Sequence, residues 1–173
     1  AGIIAAGRHG NCSTVLLQTA KAEGVSADTI KKTLGCSAAA LKAAGYTADQ
    51  LKAAGFTAAE LKLAGYDTET LKAAGFSAKE LHEAGVSATE LKNAGFTAKQ
   101  LRDAGLTPAE IKAAGFSNQD LKMAGFNAKE LKDAGLNAQA LQQAGFSVEE
   151  LKNAGFTASA LKGAGVTENQ LLQ

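Results

Sequence analysis

The sequence predicts an all-α solenoid of short helices, one for each ten residues. Three observations predict it. A ten-residue unit recurs without insertion, every unit carries its own helix start and stop signals, and the recurring apolar residues fall at helical spacing.

From Leu41 to Gln170 the chain divides into thirteen such units. Numbering each from its leucine, one unit reads Leu71-Lys72-Ala73-Ala74-Gly75-Phe76-Ser77-Ala78-Lys79-Glu80. Position one is Leu everywhere except Ile111. Position four is always Ala and position five always Gly. Position six is Phe, Tyr, Leu or Val. Position seven is always Ser, Thr, Asp or Asn. A fixed period of this kind marks a repeat architecture.

The helix start lies at position seven. Its short polar side chains are the residues that accept a hydrogen bond from the exposed N–H groups of a first turn. Three residues on stand Glu60, Glu80, Glu90, Gln100, Glu110, Asp120, Glu130 and Glu150, at capping-box spacing. The apolar residue before the cap and the leucine after it, as in Phe76 and Leu81, are placed as a hydrophobic staple. The single proline, Pro108, directly follows Thr107, at the first helical position, which tolerates it.

The helix body follows. Ala78, Leu81 and Ala84 share one face, and the expected helix has about seven residues, Ala78 to Ala84. Acid sits in the first turn and lysine in the last, matching the helix dipole. The stop is the invariant glycine, whose freedom at positive φ closes a helix. Positions three and nine vary freely and are expected to face solvent. A helix this short is unstable alone, so its stability must come from stacked neighbours. Small alanines on the inward face permit close approach.

The alternative is a right-handed pentapeptide-repeat-like β-helix, since ten is twice five. The Ala-x-Phe half suits it, as in Ala54-Gly55-Phe56. The other half does not. It would turn Lys79, Lys99, Gln119, Lys129, Gln139 and Glu149 into a narrow coil, and burying such groups unpaired costs about several kcal/mol each.

The organisation expected is an irregular segment, residues 1–23, followed by the array, residues 24–173. Thr14 to Glu23 reads as a longer capping helix with Val15, Leu16, Thr19 and Ala20 on its apolar side. Gly24-Val25-Ser26 and Gly35-Cys36-Ser37 match the motif, but their glycines are eleven residues apart, one too many. Leu171-Leu172-Gln173 shows no cap. With Ala1 in place of an initiator Met, this fits a processed or excised piece of a longer array.

Chemistry is conspicuous by absence, and no catalytic, cofactor-binding or metal site is expected. His82 takes a place otherwise held mostly by Lys or Arg, so solvent exposure is expected of it. His9 and Cys12 lie three apart with no second ligand pair, and a free loop is expected rather than zinc. Gly7-Arg8-His9-Gly10 resembles neither a phosphate loop nor a dinucleotide turn. Cys12 and Cys36 admit two readings, a pair in an oxidising compartment or two buried thiols. The position-two lysines read as a solvated face balanced by nearby Glu and Asp, and the Phe/Tyr series as core. A formal net charge of +1 gives no basic face for nucleic acid. No run approaches the ~20 apolar residues of a membrane span. An enzyme is not expected.

The unit resembles the long decapeptide array of the DotG (IcmE) family of Dot/Icm type IVB secretion systems. The best-matching stretches are Ala74-Gly75-Phe76-Ser77-Ala78-Lys79-Glu80-Leu81 and Ala124-Gly125-Phe126-Asn127-Ala128-Lys129-Glu130-Leu131, and the likeness covers residues 24–170. It implies a structural scaffold or spacer in the bacterial periplasm, anchored in the inner membrane by a helix that this segment lacks. The partners implied are other copies of itself and other secretion-system subunits, with effector proteins in transit. A solenoid protein-binding module is the alternative function.

Overall fold

The computed structural model describes residues 11–173, so His9 and the Gly7–Gly10 stretch lie outside the described residues. Among these, sixteen short helices follow one another and no strand occurs. The solenoid expectation is met and the β-helix alternative is set aside.

Each helix begins where the sequence places it. Ser77 is extended at φ −78°, and its hydroxyl accepts from the backbone N–H of Glu80 at 3.1 Å, while the Glu80 carboxylate accepts from the Ser77 N–H at 3.1 Å. Both halves of the capping box are therefore made. Ser87 and Ser147 also cap their helices, but Glu90 and Glu150 make no return bond of this kind. Pro108 opens the helix Pro108–Ala113 at its first position.

The six-residue helices also end by one device. After Ala78–Glu83 the C-cap is Ala84, so the helix is six residues long rather than seven. The Gly85 N–H donates to the His82 carbonyl and the Val86 N–H to the Leu81 carbonyl. This Schellman arrangement satisfies carbonyls that the helix leaves orphaned. It needs a left-handed glycine, and Gly85 stands at φ 94°.

The first helices depart from the decad in length. Helix α1 (Thr14–Ala22) has a cap at Ser13 and is three residues longer than a standard unit. Its buried residues are Leu17 and Ala20, whereas Val15 is 74% exposed and Thr19 exposed. Of the expected apolar face Ala20 is buried and Leu16 half-buried, and the centre of the face is Leu17. The phase explains why. Leu17 is the fourth residue after its cap, as Leu81 is after Ser77, and Ala20 is four before Gly24, as Leu81 is before Gly85. Helix α2 (Ala27–Leu34) absorbs the extra residue between the two glycines. It runs two residues beyond the standard six and stops on a left-handed Gly35, whose N–H donates to the Lys31 carbonyl. Helix α3 (Ala38–Ala43) is the first of standard length, and one helix per decad follows, ending with Glu168–Leu172.

The chain forms two compact units, one up to Val86 and the other Ser87–Gln173. Within each, a helix touches its neighbour in sequence and the helix two units ahead, so two decads make one layer. In the first unit α1 packs on α3, and α2 packs on α4 (Ala48–Ala53). Position one is the centre of every layer: Leu41, Leu51, Leu61, Leu71 and Leu81 are wholly buried, as are Leu91 to Leu151 in the second unit. Burial of each such side chain contributes roughly 1.5–3 kcal/mol. Alanine at position eight and the position-six residue flank it, as Ala48 and Phe56 do. No charged or polar side chain is buried among the described residues. Positions three and nine face solvent throughout the array, as their variability predicts.

Candidate functional site

The recurring surface is built from positions two, five, six and seven. Position two follows the core leucine and so leaves the helix at the core's rim. Basic side chains of this kind reach forward one layer and lie over an aromatic ring in both units. In the first unit Lys31 covers Phe56, Lys42 covers Tyr66 and Lys52 covers Phe76. In the second Lys92 covers Phe116, Arg102 covers Phe126, Lys122 covers Phe146 and Lys132 covers Phe156. The cation lies 4.5 to 5.6 Å from the ring centroid. At such distances the charge is attracted by the negative face of the ring, while the apolar stem covers neighbouring surface.

This corrects in part the expectation of a solvated lysine face balanced by acids: Lys42, Lys62, Lys112 and Lys162 are exposed, but acids are seldom the partners. Ion pairs are seen at Lys32–Asp28, Lys99–Asp103 and Lys162–Glu168, and only the last of these uses a position-two lysine. Lys52, Lys92, Lys122 and Lys132 are half-buried. Some of these cations also donate to a carbonyl, as Lys122 does to Gly145 at 3.1 Å, and where the residue ahead is aliphatic an oxygen is the partner found. Lys62 donates to the Gly85 carbonyl at 3.0 Å, beside Val86, and Lys112 to the Asn118 side chain at 3.0 Å. The glycine at position five leaves room for the crossing. A Cβ at Gly125 would stand 3.0 Å from the Arg102 guanidinium.

His82 replaces the lysine in one unit, and it is not solvent-facing as expected. It is half-buried, with Nδ1 shut from solvent and without a hydrogen-bond partner among the described residues. The stem of position two is half-covered in most units, and histidine inherits that cover.

The aromatics are core, as expected, with a second role at the two tyrosines. The Tyr46 hydroxyl donates to the Val25 carbonyl at 2.7 Å, and the Tyr66 hydroxyl donates to the Tyr46 carbonyl. These bonds join position-six residues of successive layers. Burial pushes both phenols above the usual tyrosine value. Asp67, a cap, is held below the usual carboxylate range by hydrogen bonds from the Thr70 side chain and backbone, with Lys42 adding attraction.

Cys12 and Cys36 form a disulfide, with Cα atoms 5.7 Å apart. Of the two readings left open by the sequence, the pair is the one found. Cys36 is buried in the position-six slot, and Cys12 is half-buried.

Shallow grooves recur beside the rungs. One of about 580 Å³ is lined by Lys52, Phe56, Thr57, Phe76, Glu80 and Glu83. Another, of about 570 Å³, is lined by Lys92, Phe96, Thr97, Phe116, Asp120 and Met123. Each residue of the second stands forty positions after its counterpart in the first. The groove is therefore a property of the repeat. No cluster of His, Cys, Asp or Glu among the described residues is arranged to hold a metal ion. No described helix is long and apolar enough to cross a membrane.

A chain whose layers share one core position, one pair of caps and one lateral rung is a helical repeat protein of the solenoid class. It belongs to the decapeptide repeat family. The model of the decapeptide repeat region matches residues 24–98, 65–137 and 118–173, which together cover most of the chain. No curated protein and no solved structure matches it.

Proposed function

We propose that the chain is a structural spacer segment of a bacterial envelope-spanning type IVB secretion machine, of the DotG (IcmE) kind, which assembles laterally around the channel. The observation that carries this reading is the recurrence of the same groove, from the same decad positions, in both units. A surface repeated at fixed intervals suits repeated contact with like partners, such as further copies of itself and neighbouring subunits. A single dedicated ligand would need one groove unlike the others. The Ala-Gly-Phe-Ser-Ala-x-Glu-Leu motif of residues 74–81 supports the assignment to that machine. The Cys12–Cys36 bond supports a periplasmic location, because such bonds persist in oxidising compartments. The reading includes no catalytic step and no nucleic acid, and effector proteins pass nearby in transit. Anchoring in the inner membrane belongs to the full-length protein.

The test is an in-phase deletion of Ile111–Glu130, one layer, in the full-length protein within its cell envelope. Electron cryotomography should show an assembled machine shortened along the repeat axis. Complete failure to assemble, with the protein folded and exported, would count against a spacer.

A second reading, a protein-binding solenoid, draws on Leu63 and Met123. These apolar residues are 88% and 81% exposed at position three, where the other units carry smaller or polar residues. Recovery of a stoichiometric soluble protein by the isolated segment, lost on Leu63→Ala with Met123→Ala, would favour it over the spacer.

A further inference from the structure

We propose that the Cys12–Cys36 bond is a redox-sensitive clasp that holds α1 on the first layer, and that a dithiol reductant releases α1 while the rest of the array stays folded. The inference is independent of the machine to which the array belongs.

The placement of the two cysteines carries it. Each stands directly before a serine cap, Cys12 before Ser13 and Cys36 before Ser37, which is the position-six slot of the decad. Elsewhere that slot holds Phe, Tyr, Leu or Val, and in the first unit its members lie one layer apart. On one side of the layers the series runs Val25, Tyr46, Tyr66, and the tyrosine hydroxyls tie each member to the carbonyl of the one before. On the other side it runs Cys12, Cys36, Phe56, and its first step is covalent. The disulfide thus stands where a noncovalent rung would otherwise lie.

That step is the one with least other support. Helix α1 buries only Leu17 and Ala20, against α3, and its N-terminal turn carries the exposed Val15. Lys21 approaches Gly45 as other position-two lysines approach their glycines, but the residue beside it is Tyr46, held already by Val25. Among the described residues, no noncovalent contact of position-six type fixes the start of α1. Among the described residues, α3 by contrast packs on a helix two units behind and on another two units ahead.

Access is asymmetric in the way a reducible bond needs. Cys36 is buried, whereas Cys12 is half-exposed and can meet an attacking thiolate. One thiolate of the dithiol attacks the Cys12 sulfur and displaces the Cys36 thiolate, which takes up a proton. The second thiolate of the reductant then attacks its own sulfur in the mixed disulfide and frees Cys12, which is protonated in turn. The disulfide gains two electrons and two protons, and the dithiol becomes a disulfide. Once free, Cys36 stays as a small apolar filler, so α3 keeps its packing. Release of α1 uncovers the face of α3 that holds Ala38 and Leu41.

The test uses the full oxidised chain and excess dithiothreitol, with hydrogen exchange read by peptide. Thiol titration should rise from none to two per chain. Amides of residues 14–25 should exchange at least about tenfold faster after reduction, while those of 48–160 hold their rates. Cys12→Ser with Cys36→Val, which fills the slot without the bond, should match the reduced chain without reductant. Unchanged exchange at 14–25 in both reduced and variant chains would overturn the clasp. So would a loss of protection along the whole first unit, since the bond would then be a global lock. Two free thiols in the air-oxidised chain would overturn it as well.

Discussion

At position two a lysine works through its whole length. Its stem leaves the core rim and its charge ends over a ring one layer on, as Lys52 does over Phe76 at 5.4 Å. A double-mutant cycle of Lys52→Met and Phe76→Leu, followed by urea unfolding, should show a coupling of about 0.5–1 kcal/mol. A coupling near zero would return the lysines to the role of solvated charges. The sequence hid this pairing because its partners are twenty-four residues apart, and the spacing becomes visible only once two decads are known to share a layer. The tyrosines give a second expectation. The fold favours their neutral phenols, which donate to the Val25 and Tyr46 carbonyls. Their raised values therefore contribute stability that is full below pH 10 and lost as pH climbs through the raised values. The thermal midpoint should fall above pH 10 more steeply in the native chain than in one carrying Tyr46→Phe and Tyr66→Phe.

The helix itself was the most legible element, because its limits are written in local chemistry. Cap, box and closing glycine act within four residues of one another, and all three appear where the decad puts them. Ser77→Ala should cost about 1 kcal/mol by removing the acceptor for the Glu80 N–H. Gly75→Ala should cost roughly 1–2 kcal/mol, because Gly75 sits at φ 99°, where a Cβ crowds the backbone even though only the Lys52 tip lies near. Both are read from chemical unfolding, and parity of Gly75→Ala with the parent would refute the closing role. Helix α1 was less legible. Its apolar pattern offered Val15 and Leu16 as readily as Leu17, and only the distances to Ser13 and Gly24 decide between them.

At the scale of the molecule, the order is set by repetition, and each of the two units buries its own leucine series. Short contacts in sequence dominate, because the main helix contacts are with the first and second decads ahead or behind. Removing Ile111–Glu130 should leave mean residue ellipticity unchanged and lower the urea m-value in proportion to the residues lost. Removing Ile111–Gly115 should cut ellipticity, since it joins Glu110 directly to Phe116 and takes out a core residue with its closing glycine. The layered pairing of decads cannot be read from the period alone, because ten is equally a feature of one-decad and two-decad layers.

The self-contained start and stop of each decad bears on how such genes change. Replication slippage between neighbouring copies adds or removes ten codons at a time, keeps the reading frame, and joins one closing glycine to another copy's cap. The protein that results has every boundary intact, so variants of differing length are folded from the generation in which they arise. Slippage cannot make up for the cysteines: Cys12 and Cys36 occur once each, upstream of the uniform copies, and a lineage that loses either by substitution has no duplicate from which to restore it.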